Sequence, residues 1–492
     1  MTDTAPAGGT WPPRLVVAGL GGDAGKTLVS LALVQAARAR GLDVRAFKKG
    51  PDYIDAAWLA WASGAPARNL DTYLMGVDGV RVSFARHAAG AALALIEGNR
   101  GLYDGVDAGG THSTAELAKA LDAPVILVVN ATKMTRTVAA LVLGCQRLDP
   151  HVRLAGVVLN QVSGPRHERV IREAVETTCG VPIAGVLPRL RDAALLPGRH
   201  LGLVPPEEHG GLDGFQTRLA ELIGAHLDVD RIVMLAAQAP ATRIDVPGLL
   251  RPRESGNGLR IGYLRDSAFT FYYPENLEIL ASAGATLVPI SSLTAPELPP
   301  DLHALYIGGG FPETHAAAIS ANRAFLDDLR RRAEAGMPVY AECGGLMLLS
   351  RAIRQAGRVS PMAGIFAWEV ELARTPQGHG YVELVVDTPN PFFPVGERLR
   401  GHEFHYSRIV AEGEAVPPTA CTVLRGSGSV AGRDGVVAHQ VWASYMHVHA
   451  AATPQWAEGL LSSARRFVRA GAGCPPRETG SRDPAGNTPR TL

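Results

Sequence analysis

Short, unbroken apolar runs separated by helical stretches are what most narrows the folds open to this chain. Leu15-Val16-Val17-Ala18 reads as a buried strand and Thr27 to Arg40 as a helix stopped at Gly41. Val44 to Phe47, Ala92 to Ile96, Val125 to Val129 and Gly156 to Leu159 read as further strands. A strand that is apolar on both faces must be covered on both, and helical crossovers supply that cover. The pattern therefore predicts an α/β layer structure built on a parallel sheet. After Leu203 the alternation fades, and Pro205-Pro206, Gly210-Gly211 and the stretch Arg251 to Gly256 bracket a single helix, Gly214 to His226. Alternation resumes at Leu259 to Leu264, with a helix at Glu275 to Ser282 and strands at Ala285 to Ile290, Leu305 to Gly308 and Pro338 to Ala341. Strand-rich stretches at Gly380 to Val386 and Phe404 to Val410 and a helix at Trp456 to Arg469 follow. With 492 residues, 46% of them hydrophobic, there is material for two or three packed cores. The expected division is a first α/β domain at 12–203, a connecting segment at 204–258, a second α/β domain at 259–470 and a disordered tail at 471–492. No internal repeat relates the two halves.

Between the first strand and the first helix lies Gly19-Leu20-Gly21-Gly22-Asp23-Ala24-Gly25-Lys26-Thr27. Gly21, Gly22 and Gly25 let backbone N–H groups close around phosphate oxygens, and Lys26 reaches the terminal phosphates. Thr27 can ligate Mg²⁺. The strict spacing of such loops fails at Leu20, the first glycine standing one residue further back. Glycine-rich turns also occur without function; placement between strand and helix is what favours ATP and Mg²⁺ here. Four acids, Asp52, Asp55, Glu97 and Asp104, follow predicted strands, and ligands of open α/β sheets bind beyond the strand C-termini. Any one of them alone reads equally as a turn or cap residue. Four at one sheet edge point to substrate or Mg²⁺, with Thr27 and Glu97 as candidate metal ligands.

In the second half, the apolar run Met337 to Tyr340 leads through Ala341-Glu342-Cys343-Gly344-Gly345 into Leu346 to Leu349. Strand, sharp turn and helix expose the sulfur, and the positive end of the helix is expected to favour thiolate. A nucleophilic thiol needs a base and oxyanion donors. His447 is the first choice of base and His449 the fallback, while Gly309, Gly310 and Gly344 offer backbone N–H groups. A lone cysteine after a strand is usually a buried hydrophobe; the glycine loop and downstream histidine are what argue otherwise. Cys145, Cys179, Cys421 and Cys474 lack such surroundings. Five scattered cysteines without CxxC spacing argue against a disulfide framework or zinc site and fit a reducing cytoplasm. The first ten residues have no signal-peptide character, and no apolar run approaches the roughly 18 residues of a membrane span. A formal charge of +1 gives no sign of nucleic acid or a membrane surface as partner. A chain with a nucleotide cradle and an activated thiol is expected to couple ATP use to an acyl bond.

The order of motifs carries a resemblance over nearly the whole chain. They are Ala18 to Thr27, Phe47-Lys48-Lys49-Gly50-Pro51-Asp52-Tyr53-Ile54-Asp55, Arg68-Asn69-Leu70-Asp71, Glu97 to Gly105, Arg199 to Leu203, Asp266 to Tyr273 and Gly401 to Ser407, completed by the surroundings of Cys343 and His447. The chain resembles the cobyrinate / hydrogenobyrinate a,c-diamide synthase family, ATP-dependent glutamine amidotransferases of tetrapyrroles. That resemblance implies an N-terminal dethiobiotin-synthetase-like domain and a C-terminal class I glutaminase-like domain. It implies glutamine hydrolysis at Cys343 with His447 raising its nucleophilicity, and ammonia passing to the first domain. There ATP would phosphorylate the a and c acetate carboxylates of cobyrinate or hydrogenobyrinate, and ammonia would displace phosphate. The implied small-molecule partners are a tetrapyrrole polycarboxylate, glutamine and ATP; oligomeric state stays open, a homodimer included. Partition-type relatives of the loop carry lysine where Leu20 stands. Cobyric acid synthase, a neighbour of the same plan, lacks the Gly-Pro-Asp-Tyr-Ile-Asp run. Family members use a Cys-His pair without a Glu two residues after the histidine, and His449 stands there. Lys49 and Asn99-Arg100 depart from the family pattern, which leaves sirohydrochlorin or a sirohaem-type ring as an alternative substrate. A different class, a nucleotide-driven switch carrying a degenerate glutaminase domain, would predict a damaged thiol site.

Overall fold

The computed structural model describes residues 10–189, 198–199, 202–243, 252–411 and 417–471. The expected disordered tail lies outside the described residues apart from Gly471, as do Cys474 and, within the Arg199 to Leu203 motif, His200 and Leu201. The first half begins with β1 (Arg14–Gly19), α1 (Lys26–Ala39), β2 (Val44–Lys49), α2 (Tyr53–Ser63), β3 (Arg68–Leu70) and α3 (Thr72–His87). It continues with β4 (Leu93–Glu97), α4 (Thr114–Ala120), β5 (Val125–Asn130), α5 (Thr137–Leu148), β6 (Leu154–Val162), α6 (Pro165–Cys179) and β7 (Ile183–Pro188). These strands form the predicted sheet, in the order β3-β2-β4-β1-β5-β6-β7, each neighbouring pair parallel.

Strand alternation explains why the runs had to be apolar throughout. Val16 and Ala18 of β1 enter one core with Ile96 and Leu127, while Leu15 and Val17 enter the core on the other face with Val29 and Leu95. Each fully buried aliphatic side chain of this kind contributes about 1.5–3 kcal/mol. Capping sets where the helices begin: Asp52 accepts the Asp55 N–H at the start of α2, and Asp71 accepts the N–H groups of Tyr73 and Leu74 at the start of α3. After two short paired strands, β8 (Gly198–Arg199) and β9 (Gly202–Leu203), come α7 (Leu212–His226) and α8 (Val229–Ala236). Phe215 and Leu219 of α7 and Val229 and Ile232 of α8 are buried in the same core as α1.

The second half contains β10 (Arg260–Leu264), α9 (Pro274–Ser282), β11 (Thr286–Ile290), β12 (Ala304–Ile307), α10 (Ala316–Ala321), α11 (Arg323–Glu334), β13 (Val339–Glu342) and α12 (Gly344–Leu349). β14 (Ala352–Gln355), β15 (Arg358–Pro361), β16 (Glu369–Leu372), β17 (Gly378–Val386), β18 (Arg398–His405) and β19 (Ser407–Val410) follow. Last come β20 (Thr419–Arg425), β21 (Arg433–Ala438), β22 (Val441–Ser444), β23 (His447–Val448) and α13 (Gln455–Arg469). A ten-stranded sheet has the order β11-β10-β12-β13-β22-β21-β20-β17-β18-β23. Its first five strands are parallel, as expected of an α/β layer, and the rest antiparallel. The strand-rich stretch Phe404 to Val410 is divided between two sheets: β18 stays in this one, and after Tyr406 the chain enters a four-stranded sheet, β15-β14-β16-β19. Because β23 follows β22 by two residues yet pairs with β18, the sheet curls until His402 stands opposite His447. Among the described residues no helix is long and apolar enough to cross a membrane.

Candidate active sites

The phosphate loop turns through Asp23 at φ 54° and Gly25 at φ 96°, left-handed values that suit glycine at the second position. Lys26 donates to the Gly21 carbonyl at 2.8 Å, and burial together with Lys48 lowers its pKa. Beyond the loop, Lys48 at the end of β2 gathers the acids. Its ammonium lies 2.5 Å from Asp55 Oδ2 and 2.9 Å from Glu97 Oε1, and these two charges outweigh burial to raise its pKa. The Thr27 hydroxyl donates to the same Glu97 oxygen at 2.8 Å. Burial pushes the Glu97 carboxyl up against the pull of Lys48, whereas at Asp55 burial is overcome by Lys48 and the pKa falls. Asp52 is pushed up to about 7 by burial and by the neighbouring Asp55 charge. Asp104 stands apart from this cluster, exposed, with its Oδ2 accepting the Gly101 N–H at 2.8 Å.

Among the described residues there is no group of three His, Cys, Asp or Glu side chains arranged for a metal ion. A Mg²⁺ that keeps water and phosphate oxygens as ligands needs fewer protein donors. Glu97 Oε2 is buried without a hydrogen-bond partner, beside the Thr27 hydroxyl, so the two residues fit such an ion.

Cys343 lies between β13 and α12 at φ 46°, ψ −95°, a strained turn for a non-glycine residue. Its N–H donates to the Ser444 carbonyl at 2.7 Å, fixing the turn to β22. The expected thiolate is not what the surroundings favour. Burial first, then the negative charge of Glu313, pushes the Cys343 thiol up, and the Gly344 N–H only partly opposes this. A six-residue helix offers little positive potential to set against full desolvation. A thiol held protonated in this way needs a base before it can act as a nucleophile.

His447 supplies the imidazole. Its ring covers Gly309 so closely that a Cβ there would stand 2.5 Å from Cε1, and a Cβ on Gly344 would stand 3.0 Å from the Gly310 nitrogen. The glycine loop thus packs against both the histidine and the cysteine turn. His447 Nδ1 lies 3.4 Å from Glu342 Oε2, a buried carboxylate that also accepts from the Val448 N–H and the Tyr306 hydroxyl, each at 3.3 Å. In the sequence Glu342 is only the neighbour of the cysteine, and no local rule marks it as the partner of a histidine so far along the chain. His449, the fallback base, faces elsewhere: its Nε2 is 3.8 Å from Glu275 and its Nδ1 accepts the Ala451 N–H. Burial lowers its pKa to about 3. Cys145, Cys179 and Cys421 are free, and burial raises each thiol.

Between these two centres lies Tyr53, the first residue of α2. Its ring stacks on Phe271 with centroids 5.2 Å apart and approaches His402 and His447 at 5.6 and 5.4 Å. A cavity of about 440 Å³ opens beside it, taking Lys49, Asp52 and Tyr53 from the first half and His402, Glu403 and His447 from the second. The halves are tied by Arg68 to Glu278 at 2.5 Å and to Glu275 at 3.7 Å, by Tyr381 to Asp71 at 2.6 Å, and by Tyr73 to Glu383 at 2.9 Å.

A CobQ/CobB/MinD/ParA nucleotide binding domain matches residues 15–204, and a CobB/CobQ-like glutamine amidotransferase domain matches residues 260–455. The cobyrinate a,c-diamide synthase of Magnetococcus marinus is 44% identical over 91% of this chain and 96% of that one. The enzymes of that name from Syntrophotalea carbinolica and Archaeoglobus fulgidus are 42% and 39% identical, over 92% and 93% of this chain and 99% and 97% of theirs. Among solved structures, PurLQS from Thermotoga maritima is 15% identical over 43% of this chain and 99% of that one, with a TM-score of 0.33. The chain belongs to the cobyrinate a,c-diamide synthase family and is a carbon–nitrogen ligase with glutamine as its nitrogen donor.

Proposed function

We propose that this chain converts the a and c acetate carboxylates of cobyrinate or hydrogenobyrinate to amides, using ATP to activate each acid and glutamine to supply ammonia. One observation carries the reading: a single cavity is walled both by the Asp52-Tyr53 turn, next to the acids around Lys48, and by His447 of the thiol centre.

As the Cys343 sulfur attacks the glutamine side-chain carbonyl, its proton passes to His447, whose charge is balanced by Glu342 at 3.4 Å. N–H groups of the Gly309-Gly310 loop and Gly344 would hold the oxyanion. The imidazolium returns the proton to the departing nitrogen, ammonia leaves, and water later cleaves the thioester to glutamate. In the first half, a substrate carboxylate oxygen attacks the terminal phosphate of ATP, held by Gly21, Gly22, Gly25 and Lys26, the bond to the β-phosphate breaks and ADP leaves. A carboxylate is a poor electrophile until one oxygen becomes a leaving group; as acyl phosphate it accepts ammonia, and phosphate departs. Mg²⁺, held by Thr27 and Glu97, would neutralise charge on the phosphates. Asp52, pushed up to about 7 by burial and the Asp55 charge, would take a proton from the attacking nitrogen, and Asp55, paired with Lys48, would orient it toward the phosphates.

Lys49, Asn99 and Arg100 on the cavity wall favour a second reading, a ring richer in carboxylates such as sirohydrochlorin, amidated by the same chemistry. Mass spectrometry of products after separate incubation with cobyrinate, hydrogenobyrinate and sirohydrochlorin, each with ATP, Mg²⁺ and glutamine, tests both. Two amides gained on a corrinoid alone support the first reading, and amides gained on sirohydrochlorin alone support the second. No amide on any ring overturns both.

A further inference from the structure

Lys48 and Lys49 are consecutive residues of β2, so their side chains leave opposite faces of the sheet. Their surroundings differ accordingly. Lys48 is neutralised by Asp55 and Glu97. Lys49 is only 6% exposed, yet its ammonium has no hydrogen-bond or ion-pair partner among the described residues. Asp71 acts on it through space, but the oxygens of Asp71 are committed: Oδ1 accepts from the Tyr73 and Leu74 N–H groups at 2.8 and 3.0 Å, and Oδ2 from the Tyr381 hydroxyl at 2.6 Å. Burial lowers the Lys49 pKa, and the positive charges of Lys48 and Arg100 add to this while Asp71 opposes it.

A charge taken out of water without a counter-charge is a standing cost to the fold. Only the through-space pull of Asp71 offsets it here, and the side chain borders the cavity. Arg100 and Arg425 stand on the same wall. Arg100 is held at φ 48°, a left-handed value, with its guanidinium 3.3 Å from His379 Nε2. The Arg425 guanidinium lies 5.4 Å from the centre of the Tyr73 ring. Neither arginine has a carboxylate partner within salt-bridge distance among the described residues. Three cations thus face one space, and Lys48 leaves the other face of the strand. The acids on the cavity wall accept backbone N–H groups, Asp52 from Asp55, Asp104 from Gly101 and Glu403 from Ser427 and Gly428.

Building on the proposed function, we propose that Lys49, Arg100 and Arg425 form a carboxylate-binding subsite that grips an arm of the tetrapyrrole other than the one being phosphorylated. The opposite direction of Lys48 is what assigns the reacting arm to the other face. A subsite for a non-reacting arm selects the ring and sets its orientation, and it acts on binding rather than on the chemical step.

The test compares the full-length wild type with Lys49→Met, which keeps the length of the side chain and removes its charge. Cobyrinate, sirohydrochlorin and fully methyl-esterified cobyrinate are titrated against each protein, and steady-state constants are measured with the ring that is amidated. Lys49→Met is expected to weaken binding of the amidated ring acid by about 30-fold or more. The KM for ATP is expected to stay within about twofold, and the ester should bind both proteins with equal, weak affinity. Its melting temperature should rise, because an unpaired buried charge has been removed. A subsite is overturned if Lys49→Met binds the ring acid as tightly as wild type. It is also overturned if the melting temperature falls while the constants for ATP and ring worsen together, the signature of a structural role. Wild type that amidates no ring overturns the proposed function and this subsite with it; wild type that amidates a ring while Lys49→Met matches it overturns the subsite alone.

Discussion

The backbone reverses at Cys343, and the residue before it, Glu342, turns its carboxylate toward His447. The two groups lie 3.4 Å apart, Glu342 Oε2 from His447 Nδ1. A carboxylate in that place holds the imidazole in one tautomer and stabilises its charged form. Glu342→Gln is therefore expected to lower kcat for glutamine hydrolysis by about 10²–10⁴-fold with little change in glutamine KM, while amidation from added ammonia persists. A glutaminase rate within a few-fold of wild type would remove Glu342 from this role. The high thiol pKa leads to a second expectation. In the absence of glutamine, Cys343 should react with iodoacetamide more slowly at pH 8 than free cysteine does, since burial and Glu313 keep it protonated. Faster alkylation at that pH would show a thiolate that the surroundings described here do not favour. The cysteine and histidine were legible in the sequence from their local company. Glu342 was not, because its role depends on strand pairing that brings β13 beside β22.

At the scale of elements, the continuous apolar strands of the first sheet were readable because burial on both faces leaves no polar residue to confuse the period. β3, only Arg68-Asn69-Leu70, was not, since two of its three residues are polar and its burial comes from neighbours in the fold. The change of sheet after Tyr406 was also invisible, since β18 and β19 are separated by one residue and no turn signal marks the break. The loop Gly308-Gly309-Gly310 shows what an element can demand of a single residue. A Cβ on Gly309 would meet the His447 ring at 2.5 Å. Gly309→Ala should push that ring aside and lower glutamine-dependent amidation by about 10²-fold or more, as displacing a general base does. Ammonia-driven amidation should survive, and overpacking should cost about 1–3 kcal/mol in urea unfolding. Retention of both activities would show that the loop can yield.

At the scale of the molecule, the two halves meet through buried charge. Glu275 of α9, 3.7 Å from Arg68 of β3, is pushed up to about 7 by burial, which outweighs the arginine. Its folded pKa lies above the usual 4.5, so the folded state prefers the protonated form. Stability from this group is complete below pH 4.5 and is lost as pH rises through about 7, by an amount on the order of 3 kcal/mol. Glu275→Gln should flatten that decline, matching wild type near pH 5 and exceeding it at pH 8 in urea midpoint. A variant that loses stability equally at both pH values would assign the carboxylate a structural hydrogen-bonding role instead. The two α/β halves were legible from their apolar strands, but this seam was not, because Arg68, Glu275 and Glu278 sit in unrelated segments. The ring of Tyr53, seated on His447 from across that seam, has a consequence for how such enzymes diverge. A chimera joining this front half to a distant relative's rear half would inherit an ill-fitting washer at that ring. Each half could then remain competent by itself while the hybrid burned more glutamine than it made amide, a leak that selection would see before any loss of folding.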